Sequence, residues 1–341
     1  MHANQVADLS PDRIMELGLG FWGSKTLLSA VELGLFTTLA AGPLDSETLR
    51  NRLGVHERGA RDFFDALVAL GMLERRDGRY LNTPETGCYL DHNKQTYVGG
   101  LLQLANERFY STWGLLTEAL KTGEPQSGLR EGEDIFDLVY ADTAAIAQYA
   151  RAMSGASLHV AKVLARRFSW AHYRTFIDIG AAEGGVAVAI AHAHPHLTGG
   201  GFDLPSVRPV FDAYVQQHSL GDRLRFYAGD FFKEPLPSAD VLVMGHILHD
   251  WDLEGKRQLL AKARTALSKG GVLIVYDQMI DDARRENVAG LLMSLNMLVR
   301  TRGGYDYTGA DCMGWMRESG FTQMRCEHLC GPYSTVVAIA A

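Results

Sequence analysis

The chain has 341 residues, enough for about two domains, and at 47% hydrophobic and 21% charged it has the balance of a soluble globular protein. Its net charge of -7 argues against a nucleic-acid binder, which would carry a basic stripe. No apolar run reaches the ~18 residues of a membrane span, the start MHANQVADLSPDR lacks the basic and apolar regions of a signal peptide, and the few cysteines (Cys88, Cys312, Cys326 and Cys330) make a poor disulfide framework, so a reducing cytoplasm is expected.

From about Leu9 to Lys162 the pattern is mainly helical. SKTLLSAVELGLFTTLA places Leu27, Leu28, Val31, Leu35 and Leu39 at helical spacing, with Gly34 as an interruption or cap. A short helix follows the Asp45/Ser46 cap region, and Gly54 marks a turn. The next helix carries Phe63, Phe64, Leu67 and Leu70. MLERR and RYLNT then flank Asp77-Gly78, a strong hairpin signal. Helix, turn, helix and hairpin together predict a winged helix. Between Pro43 and Asp91 acidic side chains slightly outnumber basic ones, which repels phosphate and favours a dimerisation scaffold over a DNA reader.

A further helical stretch runs from about Gln95 to Arg167. From Arg174 short apolar strands alternate with helices: RTFIDIG, TGGGFDLP, RLRFYAGDFF, ADVLVMGHI and GGVLIVYDQMI. This spacing predicts a doubly wound, Rossmann-like α/β sheet. The expected organisation is a helical and winged-helix domain with linker helices over 1–160 and a Rossmann-like domain over 161–341.

FIDIGAAEGGVAVAIAHAHP reads as strand, tight loop and helix. The loop Gly180-Ala181-Ala182-Glu183-Gly184 resembles a dinucleotide loop only loosely, because Ala182 replaces the glycine that lets the backbone approach a pyrophosphate. Asp178 in the approach would repel a diphosphate. S-adenosylmethionine (SAM) has no phosphate. An acid at the end of the first strand suits its amino end, a glycine bend admits the nucleoside, and a second acid suits the ribose hydroxyls. Asp178, Gly180, Gly184 and Asp203 fill those places. Asp230 and Phe231 after the third strand suit the adenine edge and face. Glu183, Leu204 and Gly229 complete the candidate cofactor site.

The carriers DIGAAEG, FDLPSV, GDFF, HDWD and GGYDYT, in this order, resemble the small-molecule O-methyltransferases related to plant caffeic-acid and bacterial polyketide or antibiotic methyltransferases, over nearly the whole chain. The resemblance implies an N-terminal helical and winged-helix dimerisation domain, a Rossmann-like SAM domain and an intertwined homodimer. The chain departs from the family at Ala181 and Ala182, where consecutive glycines are usual. Gly245 occupies a position that is commonly lysine in plant members, so one adenine-side contact is absent.

MGHILHDWD holds His246 and His249. As a metal pair they need a third ligand, with no paired cysteines or HExxH-like element nearby, and the strand-to-helix transition between them argues against a common face. His246, where strand meets loop, reads as structural. His249 falls on the ligand-bearing edge of the sheet, and the resemblance places its general base there. A phenol has a pKa near 10 and an unperturbed imidazole one near 6.5, so His249 suits removal of a phenolic proton. The family pattern supplies two orienting acids, Asp277 in VYDQM and Asp306 in GGYDYT, where plant members commonly have glutamates. Asp250 reads as a helix-start residue.

HAHPH (His192, His194, His196) reads as a solvated helix end and CEHLC (Cys326, His328, Cys330) as one face of a strand, so no metal site is expected. Phe109, Trp113, Met153, Met293 and Met297 are the expected lining of an apolar aromatic acceptor pocket. The expected activity is SAM-dependent O-methylation of an aromatic or polyketide-like small molecule. The alternatives are a C- or N-methyltransferase or a SAM-binding non-methylating enzyme on the same fold, and a winged-helix regulator.

Overall fold

The computed structural model describes residues 9–130, 133, 135–140 and 142–341. These form two compact units, meeting in sequence between Arg108 and Phe109. The division expected near residue 160 falls instead inside one continuous helix, Thr143–Arg167, whose Val160, Ala161, Leu164 and Ala165 are buried in the core of the second unit. No helix among the described residues is long and apolar enough to cross a membrane.

The first unit contains the winged helix. Asp45 caps the helix Ser46–Leu53 by accepting from the Thr48 amide, and Gly54 ends it in the left-handed region. The helix Glu57–Ala69 buries Ala60, Phe64 and Leu67. Strands β1 (Leu44–Asp45), β2 (Leu73–Arg76) and β3 (Arg79–Asn82) form an antiparallel sheet in the order β1-β3-β2. Asp77 and Gly78 both have positive φ, as a two-residue turn matching the strand twist requires.

The second unit is a seven-stranded sheet. Its strands are β4 (Thr175–Ile179), β5 (Thr198–Asp203), β6 (Leu224–Ala228), β7 (Ala239–Gly245), β8 (Leu267–Asp277), β9 (Phe321–Cys330) and β10 (Tyr333–Ala340). They lie in the order β6-β5-β4-β7-β8-β10-β9. The first five are parallel, and β10 pairs antiparallel with both β8 and β9. Apolar clusters cover both faces of the sheet, one with Phe176, Val241, Val243 and Ile274 and the other with Ile177, Leu242, Met244 and Leu273. Two covered faces explain why β7 and β8 read as unbroken apolar runs. The order reverses at β4, so the C-terminal ends of β4, β5 and β7 open on one crevice.

Candidate active site

At the end of β4, Gly180 has φ +73, and a Cβ there would stand 2.1 Å from Ile247 Cδ1. Glycine is required on both counts. Ala182 adopts φ 49, which an L-residue with a Cβ rarely takes. It is secured by Asp203, whose Oδ2 accepts the Ala182 amide at 2.8 Å while Oδ1 accepts the Leu204 amide at 2.7 Å. Asp203 thereby ties the end of β5 to the loop after β4, and the loop keeps its bend without the usual second glycine.

Asp178 and Asp203 are both buried. Burial, with Asp203 beside it, pushes the Asp178 carboxyl well above the ordinary carboxylate range. Burial raises Asp203 to about 6 against its two amide hydrogen bonds. Two buried acids at neighbouring strand ends favour a cationic ligand. Glu183 faces Ser154 and Arg151, and burial raises its carboxyl. Gly229 and Asp230 follow β6. Asp230 accepts the Phe232 amide and pairs with Lys233 at 2.9 Å. Phe231 packs edge-on against Phe232 and Trp251.

His249 follows β7 on a short 3-10 turn, Leu248–Asp250, and is buried. Its Nδ1 lies 3.3 Å from Asp306 Oδ1 and 3.4 Å from Asp277 Oδ1. Asp306 Oδ1 accepts the Nδ1 hydrogen, while Asp277 Oδ1 stands at ion-pair distance without a hydrogen bond, so in the neutral imidazole Nδ1 carries the hydrogen and Nε2 the lone pair. Asp277 is held in turn by Tyr307, whose hydroxyl donates to Oδ2 at 2.6 Å. Burial alone would lower the proton affinity of His249, but Asp277, Asp306 and Asp250 together overcome it and raise the imidazole to about 10. Burial raises Asp277 to about 7, with the His249 charge opposing.

Two expectations for this turn need correction. Asp250 does not start the following helix, Leu253–Ala266. Asp252 caps it, accepting the Gly255 amide at 2.8 Å, while Asp250 Oδ1 stands 3.8 Å from His249 Nε2. The strand end also does not separate the two histidines. His246 takes a left-handed conformation (φ 57), which folds its ring back to 5.6 Å from His249 and its Nδ1 to 3.7 Å from Asp277 Oδ1. One ligand atom each of His246, His249 and Asp277 lie within 4.8 Å of one another, close enough to share an ion. Burial and the His249 charge lower His246 to about 3, so it is neutral. Gly245 lies beneath Tyr276, where a Cβ would meet the ring at 1.9 Å, and this accounts for the absent lysine.

Trp113 donates from Nε1 to Asn296 Oδ1 at 2.9 Å, and Asn296 Nδ2 reaches Met293 Sδ at 3.6 Å. The ring of Phe109 sits 4.1 Å from the Arg300 guanidinium carbon. These contacts join the 109–113 segment to the helix Val288–Arg300. Met153 is half-buried on the Thr143–Arg167 helix, whereas Met297 is fully buried core. Two residues absent from the expected lining belong to this neighbourhood. Tyr149, raised to about 12 by burial and by Asp250, is also faced by Arg300 and Asp203. Neither residue sits in a motif, so no local signal marks them. A cleft of about 440 Å³ borders Asp250 and Trp251, with Phe136 and Arg302 on its walls, but none of the expected acceptor residues lines it.

Three of the histidines outside the site bond to backbone carbonyls. His194 and His196 reach the carbonyls of Ala165 and Trp170, and His328 that of Gly331. All four cysteines are free thiols.

Residues 113–322 match the family model of the O-methyltransferase domain, and residues 15–92 that of the O-methyltransferase dimerisation domain. The chain is 45% identical, over 94% of both chains, to the tetracenomycin polyketide synthesis 8-O-methyl transferase TcmO of Streptomyces glaucescens. It is 41% identical to the N,N-dimethyltransferase OxyT of Streptomyces rimosus, over 83% of this chain and 82% of that one. Human N-acetylserotonin methyltransferase, solved in complex with SAM, superimposes over 100% of both chains with a TM-score of 0.90 at 27% identity.

Proposed function

The chain belongs to the SAM-dependent O-methyltransferase family, and from that membership we propose that it methylates a phenolic hydroxyl of a polyketide-like aromatic acceptor, with His249 as the general base. The observation that carries this reading is the environment of His249: Nδ1 is fixed between two carboxylates at 3.3 and 3.4 Å, leaving Nε2 as the proton-accepting atom. TcmO, named for 8-O-methyl transfer in polyketide synthesis, supports a polyketide-like acceptor.

SAM, when bound, supplies an electrophilic methyl group and a positive charge. Asp178 and Asp203 suit its cationic and hydroxyl-bearing parts, and the Gly180–Gly184 loop offers backbone donors. Phe231 offers an aromatic face. Phe109, Trp113 and Met293 suit one side of a flat acceptor. With SAM bound, His249 would take the hydroxyl proton at Nε2 while the methyl passes from the sulfonium sulfur to the oxygen and the thioether leaves, and Asp277 and Asp306 would stabilise the imidazolium formed. Base catalysis of this kind contributes about 10²–10⁴-fold. His249→Ala is therefore expected to lower kcat at least ~10²-fold with SAM affinity retained. Unchanged turnover across pH in that variant would remove the base.

The 41% identity to an N,N-dimethyltransferase supports a second reading, methyl transfer to an amine. Labelled SAM offered with a panel of phenols and aryl amines separates the two by which acceptor gains the label. The dimerisation domain over 15–92 supports a homodimer. Ile14, Leu17, Phe21 and Trp22 expose apolar side chains along its first helices, a surface that a second copy would cover.

A further inference from the structure

Lys256, in the first turn of the Leu253–Ala266 helix, has no exposed surface. Lysine is almost never fully buried without partners, because a lone ammonium in an apolar interior loses its proton instead. Here Nζ donates to the carbonyl of Trp251. It also lies 3.5 Å from the centroid of the Tyr305 ring, with the Tyr307 and Trp315 rings at 5.8 and 6.0 Å, inside the range of cation–π attraction. One ammonium thus touches both segments that build the base. The Trp251 carbonyl ends the turn that carries His249 and Asp250. Tyr305 and Tyr307 flank Asp306, and Tyr307 also holds Asp277.

The charged groups facing Lys256 are Asp250, Asp252, Asp277 and Asp306. Burial lowers the ammonium, these carboxylates oppose it, and the outcome is about 8. The side chain is therefore mostly charged at neutral pH.

We propose that Lys256 is a positioning residue for methyl transfer, clamping the His249–Trp251 turn to the Tyr305–Tyr307 segment so that Asp306 stays beside His249 Nδ1, and offsetting part of the charge of the buried acids. The proposal rests on His249 being the base. A lysine serving the fold alone would change stability without altering the titration of His249.

Lys256→Met keeps the aliphatic stem and removes the charge. With the cation gone the carboxylates act on His249 less opposed, so its imidazolium is held more tightly. The His249 titration midpoint, followed by NMR of ring-labelled histidine, should rise by about one unit. The acid limb of kcat/KM should move up with it, and kcat should fall about 10- to 100-fold while KM for SAM stays within about 2-fold. Lys256→Arg should recover part of both. Tyr305→Leu removes the ring under the ammonium at a half-exposed position, loosens the clamp while leaving the charge, and should lower kcat by less than Lys256→Met does.

An unmoved His249 midpoint or a parental kcat in folded Lys256→Met overturns the proposal. If that variant does not fold, Tyr305→Leu decides, and a parental kcat there overturns it equally. His249→Ala measured in parallel separates the two readings. Full activity in His249→Ala removes the base itself. Loss of activity there, with parental Lys256→Met, removes only the clamp.

Discussion

His249 holds its proton far more tightly than an ordinary histidine, and this fixes the sign of its pH behaviour. If His249 is the proposed base, raised to about 10 it must lose that proton before it can work. The acid limb of kcat/KM, which reports the free enzyme, is expected well above the ordinary histidine value of about 6.5. Asp306→Asn removes one of the attractions that raise it. The limb should then move to lower pH while the plateau falls about 10-fold from lost orientation. A limb that stays in place would show that Asp306 does not act on the base. Stability has a matching sign. Because the folded value lies above the unfolded one, the contribution of His249 is full below about 6.5 and is lost as pH rises through about 10. Thermal melts of the parent should therefore lose more between pH 7 and 10 than those of Asp306→Asn. The family motifs made His249, Asp277 and Asp306 legible, and the structure brings all three together. Asp250 was not legible. Both aspartates of HDWD can carry a helix-start reading, and only backbone geometry assigns the cap to Asp252. Lys256 was invisible because its burial is produced by rings about fifty residues away in sequence.

The strands that carry the crevice were readable because each is a short apolar run ending in an acid or a glycine. The TVVAIA run of β10 is apolar throughout, and such a run does not distinguish a buried strand from a helix. The boundary expected near residue 160 and the division between residues 108 and 109 differ for a related reason: the Thr143–Arg167 helix packs on the sheet from a segment whose composition matches the helices before it. The loop after β4 shows how elements depend on one another. Gly180 lies against Ile247, two residues before His249, so the loop after β4 and the turn that carries His249 share a contact. Gly180→Ala must both strain a positive φ and displace the Ile247 methyl. SAM affinity, read by calorimetry, should weaken by about 10-fold or more, since each ~1.4 kcal/mol of strain or lost contact is a factor of ten. Parental affinity would mean that the loop has slack at this point.

At the scale of the whole molecule, the net charge of -7 and the slight acid excess of the winged helix disfavour a phosphate-bearing partner, and the exposed apolar side chains of the first helices favour self-association. Trp22 is 61% exposed and Leu17 84%. A large apolar side chain covered by a partner should not tolerate charge. Leu17→Glu with Trp22→Glu should convert a dimer to a monomer in light scattering, and an unchanged mass would place the interface elsewhere. The contact between Gly245 and Tyr276 bears on how such a chain can diverge. With the ring standing where a Cβ would be, a side chain enters position 245 only if the Tyr276 ring moves aside or becomes smaller. Exchanges at the two sites are therefore coupled, and a relative's lysine grafted onto this strand end is best accommodated together with a smaller residue at 276.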